Sequence, residues 1–308
     1  MHRQNISYVI LLGFPNLHNF NSILFVFLLI TYCVAVCGNI VVIALVSISK
    51  ILHHPMYFFI LQVSLVDILM TTDIVPNLLY IVLHHGGSMS LAACISQFYV
   101  FAHSESLECF ILTVMSYDRY VAICNPLRYN VIINKTFCVK SVIASWLMSF
   151  LMALADAITL QNLNFCGPNV IDHFFSDFLP ILELSCSDTS LTQIQIVLFG
   201  IIVIIGPFTV ITVSYIYIIT TILKIHSTSG RQKAFSTCSS HLAVVSMFFG
   251  SLFIVYLVPS KGQLSATFKT LSLLYTVGTP LINPFIYSLR NKDFKEAFDK
   301  FKYNLIRL

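Results

Sequence analysis

The sequence predicts an all-α membrane protein built as a bundle of seven spanning helices. Of its residues, 57% are hydrophobic and only 10% are charged, whereas soluble domains carry about 25% charged residues. The mean hydropathy is +0.86, so lipid must solvate most of the chain. Seven apolar runs approach or exceed the roughly 20 residues that cross a bilayer. Lipid forces each segment to satisfy its own backbone, and the alternation of barrel strands is missing from the sequence, so helices are predicted.

The seven predicted helices follow one another through short connections, with one exception. The connection 161–193 is long and holds four acidic residues but no Lys or Arg. The first, fifth, sixth and seventh runs contain no Asp, Glu, Lys or Arg at all. The predicted spans are residues 23–47, 56–83, 91–117, 137–160, 194–223, 234–258 and 270–289.

The distribution of basic residues predicts the orientation of the bundle. Fourteen Lys and Arg residues fall on the side of the carboxyl-terminal tail, and three fall on the side of the amino terminus. Because basic residues concentrate on the cytoplasmic side, the amino terminus is expected outside. The net charge of +4 reflects this asymmetry and does not indicate a nucleic-acid partner. Asn5, in Asn5-Ile6-Ser7, is then an extracellular glycosylation acceptor.

Three regions follow from these boundaries. Residues 1–22 form an extracellular segment, residues 23–289 the seven-helix domain, and residues 290–308 a cytoplasmic tail. Apolar residues recur in the tail at helical spacing, with charges between them. This pattern predicts an amphipathic helix on the inner leaflet rather than a solvated tail. Its apolar positions are Phe294, Phe298, Phe301 and Leu305.

An acid and a base stand side by side where the third apolar run ends in a basic loop. Residues 115–129 read MSYDRYVAICNPLRY and contain Asp118 and Arg119. Charges at this depth are rare and usually functional, so the run predicts a switch at the membrane face. The alternative is an arginine that extends its side chain to the interface.

Four motifs together make the chain similar to a known family. They are PMYFF at 55–59, the run 115–129, KAFSTCSSHL at 233–242 and PLINPFIY at 280–287. On these motifs, residues 5–303 resemble the rhodopsin-like G-protein-coupled receptors, and within them the odorant receptors. Ser116, where the family usually has Ala, is a mild departure. The resemblance implies a plasma-membrane receptor, surrounded by lipid, that binds a small odorant and raises cyclic AMP through a stimulatory, olfactory-type heterotrimeric G protein.

The resemblance also assigns roles to buried polar and aromatic residues. Asp118, Arg119 and Tyr120, with Tyr215 and Tyr287, would form the switch that couples to the G protein. Deep polar groups in separate helices cost several kcal/mol if they face lipid without partners, so they are expected to meet inside the bundle. They act either as a network that rearranges on activation or as plain interhelical hydrogen bonding. These residues are Asn39, Asp67, Glu108 and Asn283.

One face of the third helix is the candidate ligand surface. Ala102, Glu105, Ser106 and Cys109 recur at i, i+3, i+4 and i+7, which places them on one side. By the family pattern, residues of helices 5, 6 and 7 complete an apolar, aromatic cavity for a small organic ligand. The alternative for each residue is ordinary helix packing. The added residues are Phe199, Val203, Phe249, Phe253, Tyr256 and Thr276.

Glu105 carries the one carboxyl group among these four residues of helix 3. A carboxyl group in an apolar pocket either pairs with a cation or takes up a proton. The first alternative predicts an amine-bearing odorant. The second predicts a protonated side chain bonded to a neighbour such as Ser106 or to water, and it is the one we favour from sequence.

The cysteine pattern departs from the family. Three of the nine cysteines lie at the predicted outer face, and three cannot all pair within one chain. The family usually carries a loop cysteine, bonded to helix 3, where this chain has Ser176. The resemblance then favours a Cys166–Cys186 bridge with Cys94 free and the loop less firmly tethered. Pairing of Cys94 with either loop cysteine stays open.

Other classes of protein fit the sequence less well. No phosphate loop, nucleophile elbow or metal-ligand spacing indicates an enzyme, and no cofactor or metal is predicted. A proton-coupled transporter should show related halves with broken helices, which the sequence lacks. A retinal opsin needs a lysine in the middle of helix 7, near Thr276, where there is none. A receptor for a non-odour small molecule remains an alternative.

Overall fold

Seven long helices pack into one bundle in the computed structural model, which describes residues 6–15, 20–166, 168–257, 265–289 and 292–306. By length and composition, α1, α2, α4, α5 and part of α6 can each cross a membrane. The helices are α1 (Asn21–Ile48), α2 (Pro55–His84), α3 (Leu91–Cys124), α4 (Lys135–Gln161), α5 (Ser190–Leu223), α6 (Thr228–Leu257), α7 (265–289) and a shorter α8 (Lys292–Ile306).

The central helix of the bundle is α3, which packs against α2, α4, α5 and α6. More than half of its residues are buried by these neighbours, so it need not be as apolar as a lipid-facing helix. It begins after Ser90, whose hydroxyl accepts a hydrogen bond from the Ala93 N–H at 3.1 Å. It continues to Cys124, seven residues beyond the predicted apolar run, because Asp118 and Arg119 compensate each other's charge inside the helix.

Two helices contain a π-helical segment close to a proline. The segment Ile201–Ile205 interrupts α5 shortly before Pro207, and Leu274–Gly278 interrupts α7 shortly before Pro280. Proline has no N–H to donate to the preceding turn, so the hydrogen-bond ladder must be rearranged there. Pro284 lies inside the last part of α7.

A small sheet covers the bundle end that carries the amino-terminal segment, called here the N-terminal end. Strand β1 (Tyr8–Leu11) lies in the middle, between β2 (Gly87–Ser90) and β3 (Val170–Ile171). It pairs antiparallel with β2 and parallel with β3. The sheet thereby joins the amino-terminal segment to the α2–α3 and α4–α5 connections, which sequence patterning did not predict.

The tail helix α8 docks against the opposite end of the bundle, called here the tail end. Phe294 is buried, and its ring meets the ring of Tyr57 edge-on at 5.4 Å. The Tyr57 hydroxyl donates to Asp293 Oδ2 at 2.7 Å. Phe298 is 47% exposed, so only part of the predicted apolar face is free for a membrane surface.

Candidate functional site

The acid–base pair of α3 is held in place near the tail end of the bundle. Arg119 Nη2 lies 2.7 Å from Asp118 Oδ2, and both residues are buried. The Tyr129 hydroxyl, from the short helix after α3, donates to Asp118 Oδ1 at 2.7 Å. Burial and the charge of Asp118 raise the pKa of Tyr129, so this phenol keeps its proton. The predicted neighbour Tyr120 instead packs edge-on against Tyr217 of α5, at 5.9 Å.

A second polar contact joins α5, α6 and α3 close to this pair. The Tyr215 hydroxyl lies 2.7 Å from His241 Nδ1, and their rings stack at 5.8 Å. His241 Nε2 lies 3.1 Å from the Leu112 carbonyl oxygen. A neutral imidazole accepts at one nitrogen and donates at the other, so Tyr215 donates to His241 and His241 donates to Leu112. This chain of bonds holds α6 against α3.

The predicted polar network is present in part. Asn283 Nδ2 donates to both oxygens of Asp67, at 3.2 and 3.1 Å. Asn39 does not reach Asp67 and donates to the Pro280 carbonyl at 3.0 Å. That carbonyl is free to accept because Pro284, four residues further along α7, has no N–H. Glu108 is fully buried, and neither of its oxygens has a hydrogen-bond partner among the described residues. Within the same limits, the buried Tyr287 hydroxyl also has none.

A cavity of about 430 Å³ opens toward the N-terminal end, between α3, α4, α5, α6 and the connection before α5. This volume lies in the range of small-molecule sites. Its wall is mainly apolar and aromatic. Six residues predicted from the sequence line it: Ala102, Glu105, Ser106, Phe199, Val203 and Phe253.

Two predicted ligand residues do not line this cavity. Phe249 is fully buried behind Phe253 and packs against Phe208 at a ring distance of 5.7 Å. Thr276 of α7 turns its hydroxyl into its own helix, where it donates to the Ser272 carbonyl at 2.7 Å. Helix α4 contributes to the wall through Asp156, which the sequence did not place there. The side chain of Tyr256, another predicted ligand residue, lies outside the described residues, as does Asn5.

The α4–α5 connection is packed over the cavity without a covalent link to α3. Phe175 meets Phe101 edge-on at 4.9 Å, and the Ser176 N–H donates to Gln97 Oε1 at 3.0 Å. The Ser176 hydroxyl donates to Met89 Sδ at 3.6 Å and lies close to the buried, free Cys94 thiol. Non-covalent contacts therefore occupy the position at which the family's usual bridge would lie. Within the loop, the structure contains a Cys166–Cys186 disulfide with a Cα–Cα distance of 5.8 Å.

A buried lysine ties three parts of the N-terminal end together. Lys269 of α7 is only 4% exposed. Its Nζ donates to the Gly13 carbonyl at 2.9 Å and to Asp172 Oδ1 at 2.5 Å. Gly13 adopts a left-handed φ of +63°, which glycine reaches at low cost. The amino-terminal segment, the loop and α7 therefore share one contact.

Replacing Lys269 by Ala is expected to lower the free energy of unfolding by about 2 kcal/mol, because the buried Gly13 carbonyl loses its charged donor. Loss of the ion pair with Asp172 adds little to this decrease, because the Asp172 side chain is 53% exposed. Thermal unfolding of the purified protein measures the effect. Lys300→Ala is the control, since among the described residues that lysine pairs with the exposed Glu296. Equal stability of both variants would contradict the proposed tie.

His173 lies beside this lysine contact and cannot easily take up a proton. Burial, with the nearby charge of Lys269, lowers its pKa from 6.5 to about 3, against the opposite effect of Asp172. Its Nδ1 accepts from the Phe175 N–H at 3.5 Å. Between these pKa values the unfolded chain binds a proton that the folded protein does not, so stability falls as the pH falls from about 6.5 toward 3.

His173→Asn is therefore expected to reduce this acid sensitivity. The amide cannot titrate, but its oxygen can still accept from the Phe175 N–H. At pH 5 the histidine costs the folded protein about 2 kcal/mol relative to neutral pH. Thermal unfolding from pH 7 to pH 5 measures the difference. An unchanged pH dependence in the variant would show that another group is responsible.

Sequence reasoning missed several residues of the site. His241 lies in the motif KAFSTCSSHL at 233–242. Its place in that motif is the sequence signal that could have identified it as a site residue. Tyr129 ends the run 115–129, but only the folded loop brings its hydroxyl to Asp118. Asp156 is an acid inside the predicted span 137–160, and the sequence pattern assigns it no partner. The structure supplies that partner, because Gln195 Nε2 donates to Asp156 Oδ1 at 2.7 Å.

Comparison with known proteins agrees with this architecture. The family model described as "Olfactory receptor" matches residues 27–304. Human olfactory receptor 11L1 is 44% identical over 303 residues, covering 97% of this chain and 94% of the relative. Human olfactory receptor 10A7 is 43% identical, covering 95% and 92%. Rat olfactory receptor 1468 is 41% identical, covering 95% and 93%. The chain therefore belongs to the olfactory receptor family of seven-helix G-protein-coupled receptors, which are multi-pass plasma-membrane proteins and not enzymes.

Proposed function

We propose that this receptor binds a small, mainly apolar odorant in the cavity beside Glu105 and Ser106. The observation that carries this proposal is the cavity itself. It has a volume typical of small-molecule sites and an aromatic and aliphatic wall, and α3 contributes its central face to it. The ligand enters from the extracellular side, since the excess of basic residues favours a cytoplasmic tail.

The same helix connects the cavity to the cytoplasmic face. Glu105 and Arg119 are fourteen residues apart on α3, or about 21 Å at the helical rise. In the resting form Arg119 pairs with Asp118, and His241 holds α6 against α3. An odorant that binds better to the form with α6 displaced shifts the equilibrium by that difference in affinity. The opened face then engages a stimulatory heterotrimeric G protein, and cyclic AMP rises.

A screen of chemically diverse odorants on cells expressing the receptor tests this function. Cyclic AMP is measured in matched cells with and without the stimulatory G-protein α subunit. We expect at least one odorant to raise cyclic AMP only in cells that contain both the receptor and this subunit. A response that persists without the subunit would contradict the proposed coupling.

A further inference from the structure

The cavity wall on the α5 side also belongs to the lipid-facing surface of the bundle. In the most apolar stretch of α5, 17% of the residues are buried, compared with 61% in α2. Three residues that recur every four positions along α5 line the cavity: Val197, Ile201 and Ile205. They are 61%, 50% and 43% exposed. A side chain meets both a cavity and the bilayer only at the edge of an opening, so the cavity continues to the lipid-facing surface along α5.

The neighbouring helix α4 covers little of this opening. Of its described residues, Asp156 alone lines the cavity. The hydrogen bonds that join α4 to α5 in the described ranges both use Gln195, which donates to Asp156 Oδ1 at 2.7 Å and accepts from Thr159 Oγ1 at 2.9 Å. All three residues lie near the N-terminal end of the bundle, so these bonds form the outer rim of the opening. In the described part of both helices, no hydrogen bond crosses between them below this rim.

Gly200 leaves open space beside the cavity at the level of this opening. It lines the cavity, and a Cβ placed on it would meet no described atom within 4 Å. Glycine is unfavourable inside a helix relative to alanine, and no described neighbour requires it here. The π segment Ile201–Ile205 follows directly, and such segments often mark functional positions in a helix. A larger side chain at position 200 would therefore narrow the passage without displacing a neighbour.

The direct route from water is covered by the loop before α5. Phe178 and Leu179 of the short helix Phe178–Leu182 line the cavity. Phe178 is buried, and its ring meets the ring of Phe98 on α3 edge-on at 5.3 Å. Ile181, three residues further along, is fully buried. Entry from water would require these packed side chains to separate, whereas entry from lipid between α4 and α5 would not.

We propose that the ligand reaches the cavity from the outer leaflet of the bilayer, through the opening between α4 and α5, which is called here the lipid portal. Its edge is formed by Asp156 and Gln195 at the outer rim and by Val197, Gly200 and Ile201 along α5. The receptor then takes small apolar or amphiphilic molecules that dissolve in lipid, and their concentration in the bilayer determines how fast they arrive. This inference rests on the proposed function, because the portal serves the same cavity in the same orientation.

Entry through lipid makes the entry rate depend on the hydrocarbon chain of the ligand. Each added CH₂ group raises partition into lipid about fourfold. At equal concentration in water, a molecule with two more CH₂ groups should therefore enter about 15-fold faster. Entry from water predicts nearly equal rates of association, because differences in affinity between related ligands then lie mostly in the rate of dissociation.

Photolabelling measures entry into the cavity without a G protein or a known odorant. The probes are n-butanol and n-hexanol derivatives that carry a diazirine, and the purified receptor is held in lipid discs. Samples are irradiated at increasing delays after mixing, and mass spectrometry locates the label. Exposed residues of α1, such as Val26 and Ile30, report the probe in the bilayer, whereas residues 102–106 of α3 report the probe in the cavity. We expect the hexanol probe to label α3 about 15-fold faster than the butanol probe.

Gly200→Phe should slow the labelling of α3 at least about tenfold, which corresponds to a modest added barrier, and leave the labelling of α1 unchanged. Gly250→Phe is the matched control, because Gly250 also has open space beside it but lies on α6 outside the cavity wall. Gln195→Ala separates a blocked portal from a filled cavity. It removes the bonds of the outer rim without adding volume, so it should speed the labelling of α3.

Equal initial rates for the two probes would overturn the portal, as would an unchanged rate in Gly200→Phe. A lack of label on α3 at every delay, with α1 labelled, would overturn it too. Failure of the proposed function looks different. If the probe enters through the portal but no odorant raises cyclic AMP, the portal stands and the proposed coupling fails. If odorants raise cyclic AMP while Gly200→Phe admits the probe at the full rate, the function stands and the portal is wrong.

Discussion

Arg119→Ala is expected to abolish odorant-evoked cyclic AMP while the receptor still reaches the cell surface and binds its ligand. Arg119 is 8% exposed and pairs with Asp118 at 2.7 Å in this form of the bundle. The pair lies near the tail end, whereas the cavity lies toward the N-terminal end. Removal of the guanidinium should therefore leave the cavity intact but deny the G protein its contact.

The experiment compares surface expression, ligand-induced thermal stabilisation and cyclic AMP in the same variant. Tyr129→Phe is an informative companion, because it removes only the hydroxyl that donates to Asp118 Oδ1. Asp118 then has one hydrogen bond fewer, which weakens the resting arrangement, so basal cyclic AMP should rise while the evoked response is retained. An evoked response that survives in Arg119→Ala at equal surface expression would refute this role of the arginine.

Ser176→Cys is expected to form a disulfide with Cys94 and to stabilise the receptor. The Ser176 hydroxyl neighbours the Cys94 thiol, and both residues are fully buried. The two positions are 82 residues apart. Closing a loop of this length contributes up to about 4 kcal/mol in the chain-entropy account. The new bond would replace non-covalent contacts that already hold the loop in the same place.

Peptide mapping under non-reducing conditions detects the new bridge, and thermal unfolding with and without reductant measures its contribution. Ser176→Ala is the control, since it removes the hydroxyl without adding a thiol. We expect the bridge to slow ligand exchange, because the loop packs over the cavity. Recovery of Cys94 as a free thiol in the cysteine variant would show that the two side chains do not meet as described.

The helices could be predicted because apolar runs in lipid leave the backbone few choices. The small sheet could not, since β1 has only four residues and its partners come from connections about 80 and 160 residues further along the chain. The extension of α3 to Cys124 was also missed. A hydropathy argument ends a helix at a charge, whereas Asp118 and Arg119 neutralise each other inside it.

The cavity was predictable on α3 and less so on its neighbours. Ala102, Glu105 and Ser106 follow from helical spacing alone, and all three line the cavity. Whether Phe249 and Thr276 face the cavity depends on how α6 and α7 are rotated about their own axes. The π segment Leu274–Gly278 changes that rotation in α7, and sequence periodicity gives no measure of it.

Nucleotide exchange on a purified stimulatory G protein tests the central claim most directly. The receptor is reconstituted in lipid discs with the G protein and an odorant identified in the cellular screen, and GTP binding is followed over time. We predict that the odorant accelerates exchange with the unmodified receptor and has no effect with Arg119→Ala. Exchange that stays at the basal rate while the odorant demonstrably occupies the receptor would contradict the link from cavity to G protein.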